Sequence, residues 1–438
     1  MEILFLSNRP SKNSQASTVT EYLDSLSKYS INSVYEISML HHFPSQIDLD
    51  RFDVVITHYS LSLGSLINHY LGKDFIKKLK NFNGLKAAFL QDEYRETEVY
   101  WKHLNELGID VLFSCVPEQE IHKVYPQKKV PKLKVVNVLT GYVPETLLSQ
   151  SVLPISKRPI DIGYRTRKMP YWLGRLGYEK WFICEEFKRL TKSSNLKLDL
   201  STKEGDRLYG DSWTTFVSSC KAVIGVESGA SIIDYDGSLE KNVDYYVSKH
   251  PHATFEEVFD LFLKPYEGSL HLNQISPRCF EAAALRTPMI LFEGNYSGIL
   301  KPGKHFISLK KDFTNLKDVL LKFKDNSFLQ KMADRTYEEI AKNPKYQYKF
   351  FIQKIDKILL DEFRKRKFKK VSNPYSKKEF KERLSSSFSY IIRRRFEIFM
   401  QRVILGFPLA RKLVFYVWHI LPIPIQRFLR PYVRIISR

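Results

Sequence analysis

Two doubly wound α/β domains followed by a basic, amphipathic helical tail are what the sequence predicts, and three observations lead there. Short apolar runs alternate with helix-period segments through residues 1–360. Several runs are apolar on both faces, as strands of a parallel sheet covered by helices on each side must be. The composition then turns basic: residues 361–438 hold 20 Lys/Arg against five Asp/Glu, a net +15 of the chain's +21.

The opening MEILFLSNRP places an acidic residue before a short apolar run and lacks a basic leader, which predicts a first core strand rather than a signal peptide. Strands are expected at Ile3–Ser7, Ser33–Ser38, Asp53–Thr57, Lys86–Leu90, Asp110–Ser114 and Lys134–Leu139, with helices at Gln15–Tyr29 and Thr97–Leu107 between them. Such alternation predicts a doubly wound domain over 1–150. The stretch LSQSVLPISKRP (148–159), with two prolines and little periodicity, reads as a linker. A second series then fills 151–360. Its strands are Asp161–Tyr164, Leu196–Leu200, Ala222–Val226, Pro288–Phe292 and His305–Leu309; its helices are Glu179–Leu190, Ser276–Ala284, Leu316–Lys324 and Phe328–Ala341.

Composition removes whole classes. With 43% hydrophobic and 14% aromatic residues and only 18 Gly and 20 Pro, the chain is neither disordered nor collagenous. The four cysteines stand far apart without a CxxC pair, so neither a disulfide scaffold nor a structural zinc site is expected, and a reducing, cytoplasmic setting is.

The most specific segment is ISPRCFEAAALRTPMILFEG (275–294). Ser276 and Pro277 start a helix, Glu281 lies one turn in, and a buried strand follows Thr287-Pro288. Open α/β sheets bind ligands at the carboxyl ends of their strands, and helix N-termini attract phosphate. A carboxylate about a turn into such a helix can accept both ribose hydroxyls of a nucleotide. Read without that chemistry, Phe280, Ala282, Ala283 and Leu285 would equally serve a plain core helix.

This segment resembles the nucleotide-sugar motif of group 1 glycosyltransferases with the GT-B fold, a helix carrying (L/F)-E-A-x-A-x-G-x-P before a buried strand. The resemblance implies two Rossmann-like domains facing a cleft, and a sugar transferred from a nucleotide sugar to a glycan or lipid-linked acceptor in surface polysaccharide biosynthesis. It implies a ribose-holding role for Glu281 at a donor site shared with Ser276, Pro277 and Arg278. Arg286 stands where the family has Gly, a departure expected to alter only the turn. Many retaining members carry a second Glu eight residues before the first; here that position is Asn273, and Glu227 or Ser228 of the loop GVESGAS is the expected substitute. Retention and inversion both remain open.

The resemblance also implies cations facing the diphosphate, with no metal and no separate cofactor. The candidates are Arg165 and Arg167 in DIGYRTRK and Arg175 and Lys180 in GRLGYEK, with Arg165, directly after a strand, first and Lys180 second; as surface residues they would be ordinary cations of a basic protein. In the first domain, strand-end residues His58, Asp92 and Glu93 are the candidates for a base acting on the acceptor, against a purely structural reading of His58.

The tail divides in two. FRKRKFKKVSNPYSKKEFKER reads as a charged, mobile hinge; beyond Phe396, apolar residues recur among arginines. Its longest uncharged stretch, Leu413–Gln426, is 14 residues with two prolines, short of the roughly 20 a spanning helix needs. The expected partner of 361–438 is an anionic membrane surface, placing the protein peripherally on the inner face of the membrane. A protein partner ranks second and nucleic acid last. Two other functions fit the chain: a GT-B-like protein that binds glycan or nucleotide without turnover, and a nucleic-acid-binding protein acting through the tail.

Overall fold

Eleven strands among the described residues form two sheets flanked by helices. The computed structural model describes residues 1–438 except 11–14, 40, 389, 393, 396–397 and 399–438. The chain divides into two compact units, one of residues 1–90, 102–112 and the described residues from 356 onward, the other of 91–101 and 113–355.

The first sheet has the order β2-β1-β3-β4-β5-β6, built from β1 (Glu2–Ser7), β2 (Ser33–Ser38), β3 (Val54–Thr57), β4 (Leu85–Leu90), β5 (Val111–Ser114) and β6 (Lys134–Asn137). β1 runs parallel to both β2 and β3, and β3 runs parallel to β4. Their apolar runs are what a sheet buried on both faces requires: every residue of β3, β4 and β5 is buried. Helices α1 (Ser17–Tyr29) and α2 (Thr97–Leu107) follow β1 and β4.

The second sheet, order β11-β10-β9-β7-β8, is parallel throughout. Its strands are β7 (Ile160–Arg165), β8 (Leu198–Ser201), β9 (Cys220–Gly225), β10 (Met289–Phe292) and β11 (Ile307–Leu309). Alternation along β10 divides its side chains between two cores. Ile290 and Phe292 meet Ile183 and Phe187 of α3 (Gly174–Leu190), whereas Met289 and Leu291 meet α4 (Gly210–Ser219) and α5 (Pro277–Ala284) through Phe216 and Ala283. All four cysteines are free and buried.

The unit boundaries differ from the expected 1–150, 151–360 and 361–438. Residues 91–101 and 113–150 belong with the second unit; within it the Val143 N–H donates to the Tyr346 carbonyl at 2.8 Å, and the Thr140 hydroxyl to that of Ile275 at 2.7 Å. The expected mobile hinge is folded onto the first unit. Past α6 (Tyr348–Lys365), the Val371 N–H donates to Asp53 Oδ1 at 2.8 Å. Tyr375 and Phe380, 3% and 5% exposed, pack against Tyr35 and Phe52. The helix α7 (Lys377–Ser386) starts where the Ser376 hydroxyl accepts the N–H of Glu379, and Glu379 in turn takes both guanidinium arms of Arg51 at 2.6 and 2.8 Å. The lysines of this segment are exposed, and the two inward aromatics stand among them in sequence. No described helix is long and apolar enough to cross a membrane; the amphipathic stretch beyond residue 398 lies outside the described residues.

Candidate functional site

In the second sheet β7 connects to β8 on one side and lies beside β9 on the other, so the winding reverses between β7 and β9. Ligands of open α/β folds bind at such a switch point, outside the carboxyl ends of the strands. A pocket of about 230 Å³ lies there. Its apolar floor is Val223, Ile224, Met289 and Leu291, from β9 and β10. Its polar wall is Thr166 and Arg167 after β7, Lys180 on α3, Arg207, Ser228 after β9, and Ser276 and Arg278 at the start of α5. Four cations line it and no carboxylate does, so the pocket selects anions.

The helix α5 begins where Ser276 is extended and Pro277 takes the first helical position, whose N–H has no intrahelical partner in any helix. Arg278 and Cys279 reach the pocket, and Glu281 lies just beyond its lining on the same helix, 6% exposed. Burying a carboxylate is costly unless hydrogen bonds compensate. Here the Trp213 indole N–H donates to Glu281 Oε2 at 2.7 Å. The same ring lies under the Arg278 guanidinium, 5.1 Å from ring centroid to cation. Trp213 carries no motif, stands 68 residues before Glu281 and lies on α4, a helix that the sequence pattern does not mark.

The far end of α5 is pinned by Arg158. Its guanidinium, buried at 3% exposure, donates to the carbonyls of Leu285 at 3.2 Å, Arg286 at 3.0 Å and Cys220 at 2.9 Å, and to the Thr287 hydroxyl at 2.8 Å. Arg286 itself has φ +47°, the left-handed conformation that Gly would adopt without strain.

Lys180 is half-buried in the pocket wall, and that burial, reinforced by Arg278, pulls its pKa down to about 8. Arg167 also lines the pocket, whereas Arg165 and Arg175 turn elsewhere. Arg165 does not line the pocket; its guanidinium donates to the Asp199 carbonyl at 2.8 Å and carboxylate at 2.6 Å and lies 4.4 Å from the Phe216 ring centroid. Arg175 is exposed, paired with Glu256 at 3.0 Å and stacked on Phe259 at 4.0 Å.

The expected acid–base residues are held by other partners. Glu227, 5% exposed, accepts the Asn273 amide at 2.9 Å and the backbone N–H groups of Asn295 and Tyr296 at 3.1 and 2.6 Å. Glu93, 1% exposed, accepts the Cys115 N–H at 3.2 Å and the Tyr125 hydroxyl at 2.8 Å. Burial pushes its pKa up to about 8. Asp92 is exposed in a left-handed conformation, φ +60°, and accepts the Tyr94 hydroxyl at 2.9 Å.

His58, in the first unit, is fully buried among Phe5, Tyr22 and Tyr59. The Ser60 N–H donates to its Nδ1 at 3.1 Å, which leaves the ring proton on Nε2. Burial, with Arg9 nearby, holds its pKa well below the usual histidine value, so the ring is neutral. Among the described residues no group of three or more His, Cys, Asp and Glu could hold a metal ion.

No family model matches the sequence, and no curated protein matches it. Solved structures are similar in fold. TarM is 13% identical with a TM-score of 0.37 over 71% of this chain, which spans about half the length of that protein, 54%. An alpha-glucosyltransferase in complex with UDP-glucose and DNA containing an abasic site is 12% identical, with a TM-score of 0.47 over 82% of this chain and 99% of its own. HepE from Anabaena, in complex with UDP and glucose, is 11% identical with a TM-score of 0.45 over 82% and 99%.

Proposed function

We propose that the chain is a nucleotide-sugar-dependent glycosyltransferase whose second unit holds the donor. The observation that carries this reading is a pocket at the switch point of the second sheet with four cations and no carboxylate, continued along α5 by the buried carboxylate of Glu281. Lys180 and Arg278 face the diphosphate in this reading, and Glu281 accepts the ribose hydroxyls. As the acceptor oxygen bonds to the sugar's anomeric carbon, the bond to the diphosphate oxygen breaks, negative charge grows on the leaving group, and the proton of the acceptor hydroxyl passes to the departing diphosphate. Fixed cations already in place stabilise that charge without reorganising, so the reaction is assigned no metal ion. The acceptor is a glycan or lipid-linked hydroxyl of a surface polysaccharide precursor. Residues beyond 398 hold the enzyme peripherally on the inner face of the membrane, a placement supported by their interleaved arginines and apolar side chains.

A second reading, donor binding without turnover, is favoured by the engagement of Glu93, Glu227 and His58 in structural contacts. One experiment separates the two and tests the first. Nucleotide sugars are screened by thermal shift, since a ligand that binds only the folded chain raises its melting temperature. Hydrolysis and transfer are then measured with the donors that bind. Glu281→Ala should weaken binding by about one to two orders of magnitude, the loss of a charged hydrogen-bond acceptor. Unchanged affinity in that variant removes the donor assignment; binding with no transfer to any glycan acceptor leaves the second reading.

A further inference from the structure

We propose that Trp213 is a positioning residue of the donor site, fixing Glu281 with its indole N–H and Arg278 with its ring face. The inference rests on the donor reading above and adds a residue that no motif marks. Three contacts carry it. The indole N–H meets Glu281 Oε2 at 2.7 Å, the ring lies 5.1 Å from the Arg278 guanidinium, and the Arg278 guanidinium also donates to the carbonyl of Arg165. Beside the indole, the Phe216 ring lies tilted by 33° with its centroid at 5.8 Å and is itself covered by the Arg165 guanidinium at 4.4 Å. The result is a pair of neighbouring rings, Trp213 and Phe216, between two guanidinium groups, Arg278 on the pocket side and Arg165 on β7.

The choice of indole has a chemical reason. Its nitrogen is a donor only, so it orients a carboxylate without ever competing for the hydroxyl protons that the carboxylate must accept. A hydroxyl or amide at this place could present a lone pair instead and let the carboxylate turn. The face of the same ring is the negative end of its quadrupole, which suits a guanidinium above it. One side chain therefore sets the spacing between the group that reads ribose and the group that meets phosphate, and the two functions are separable by substitution. Trp213→Phe keeps the ring and removes the N–H; Trp213→Leu removes both.

The test is isothermal titration of the full chain with ADP, CDP, GDP and UDP, then with the 2′-deoxy form of the tightest binder. Trp213→Phe should weaken the ribonucleotide about tenfold, the scale of one charge-assisted hydrogen bond, and the deoxynucleotide much less. Preference for ribose over deoxyribose therefore falls. Trp213→Leu should weaken both nucleotides. Glu281→Gln should lose the same preference, and adding Trp213→Phe to it should cost little more, because the two residues act as one unit. Trp213→His, which restores a ring N–H, should recover part of the preference. Equal weakening of both nucleotides by Trp213→Phe, or no weakening, overturns the inference, since loss of packing alone does not distinguish the two sugars. If the wild-type chain binds none of the four nucleotides, the donor reading itself falls and takes this inference with it.

Discussion

The side-chain amide of Asn273 donates to Oε2 of Glu227 at 2.9 Å. Asn273 stands eight residues before Glu281, where the resemblance to group 1 glycosyltransferases led one to look for a second acid. A neutral amide there brings a carboxylate in from the loop after β9 instead. That carboxylate also closes the turn after β10, since Oε1 accepts two backbone N–H groups, and Gly294 passes so near that a Cβ there would lie 2.6 Å from Oε2.

Glu227 is therefore expected to matter for stability before it matters for chemistry. Glu227→Ala strands three donors, of which the Tyr296 N–H is buried and costs about 1–3 kcal/mol while those of Asn273 and Asn295 are nearer solvent and cost less, and should lower the melting temperature by several degrees. Glu227→Gln keeps one oxygen for the backbone N–H groups, and the Asn273 amide can flip to accept from the new amide. It should keep both the melting temperature and the turnover near wild type. A Gln variant that melts normally but turns over no donor would make Glu227 a catalytic carboxylate after all.

In the proposed donor reading, Lys180 gives nucleotide binding a pH dependence. Its pKa of about 8 means the ammonium is present at neutral pH and lost above it. Affinity for a nucleoside diphosphate should fall as pH rises through 8, and Lys180→Met should remove the break. Stability moves the other way. In the folded chain the pKa lies below its ordinary 10.5, so between about 8 and 10.5 the unfolded chain holds more protons and Lys180 makes the fold more stable as pH rises. Denaturant titrations of wild type and Lys180→Met across that window should differ in this slope. An affinity that stays level up to pH 10 would mean Lys180 does not meet the anion.

Glu93 supplies the opposite sign. Burial raises its pKa from 4.5 to about 8, against the hydrogen bonds from Tyr125 and the Cys115 N–H and with Asp92 adding repulsion. The folded chain then holds the extra proton, so this contribution is complete below about 4.5 and is lost as pH rises through 8. Glu93→Gln, which cannot ionise, should match wild type in acid and exceed it in stability at pH 9. Parallel stability curves for the two proteins from pH 5 to pH 9 would show that Glu93 keeps an ordinary carboxylate pKa.

What the sequence made legible follows from range. The two sheets were readable because each central strand carries its burial in its own residues, as in MILF of β10, where all four are buried. Ser276, Arg278 and Lys180 were placed at one pocket because helix starts and strand ends converge in any open α/β sheet. Arg165 was not readable: Asp199 lies 34 residues away and becomes its neighbour only through the β7–β8 register, in which Gly163 faces Asp199 and Arg165 faces Ser201. Arg286 looked like a departure from a glycine turn, yet the turn survives at φ +47°, with Arg158 holding its carbonyl and its own guanidinium 4.1 Å from the Tyr337 ring centroid. Arg158 falls in the stretch that reads as a linker in sequence. Long-range partners of this kind leave no local pattern.

The C-terminal segment makes the last prediction, and it reverses the one its charge suggests. A basic run after residue 360 invites truncation there, yet Tyr375 and Phe380 lie inside the first unit against Tyr35 and Phe52. Each such ring contributes about 1.5–3 kcal/mol on burial. The Arg51 ion pair with Glu379 is partly exposed and adds less, about 0–1 kcal/mol. Asp53 would lose the Val371 N–H, and the Tyr35 hydroxyl would lose the Tyr375 carbonyl. A chain ending at Leu360 should therefore melt several degrees below one ending at Arg395 and aggregate through the uncovered aromatics. Anionic vesicles then test the remainder. If residues beyond 395 hold the membrane, the full chain should sediment with the vesicles, loosen in high salt and need detergent for full release, and the chain ending at Arg395 should stay in solution. Should the Leu360 truncation melt with the one ending at Arg395, the contacts of Tyr375 and Phe380 do not stabilise the first unit. Should the Arg395 truncation still sediment, the membrane-binding surface lies within the folded units.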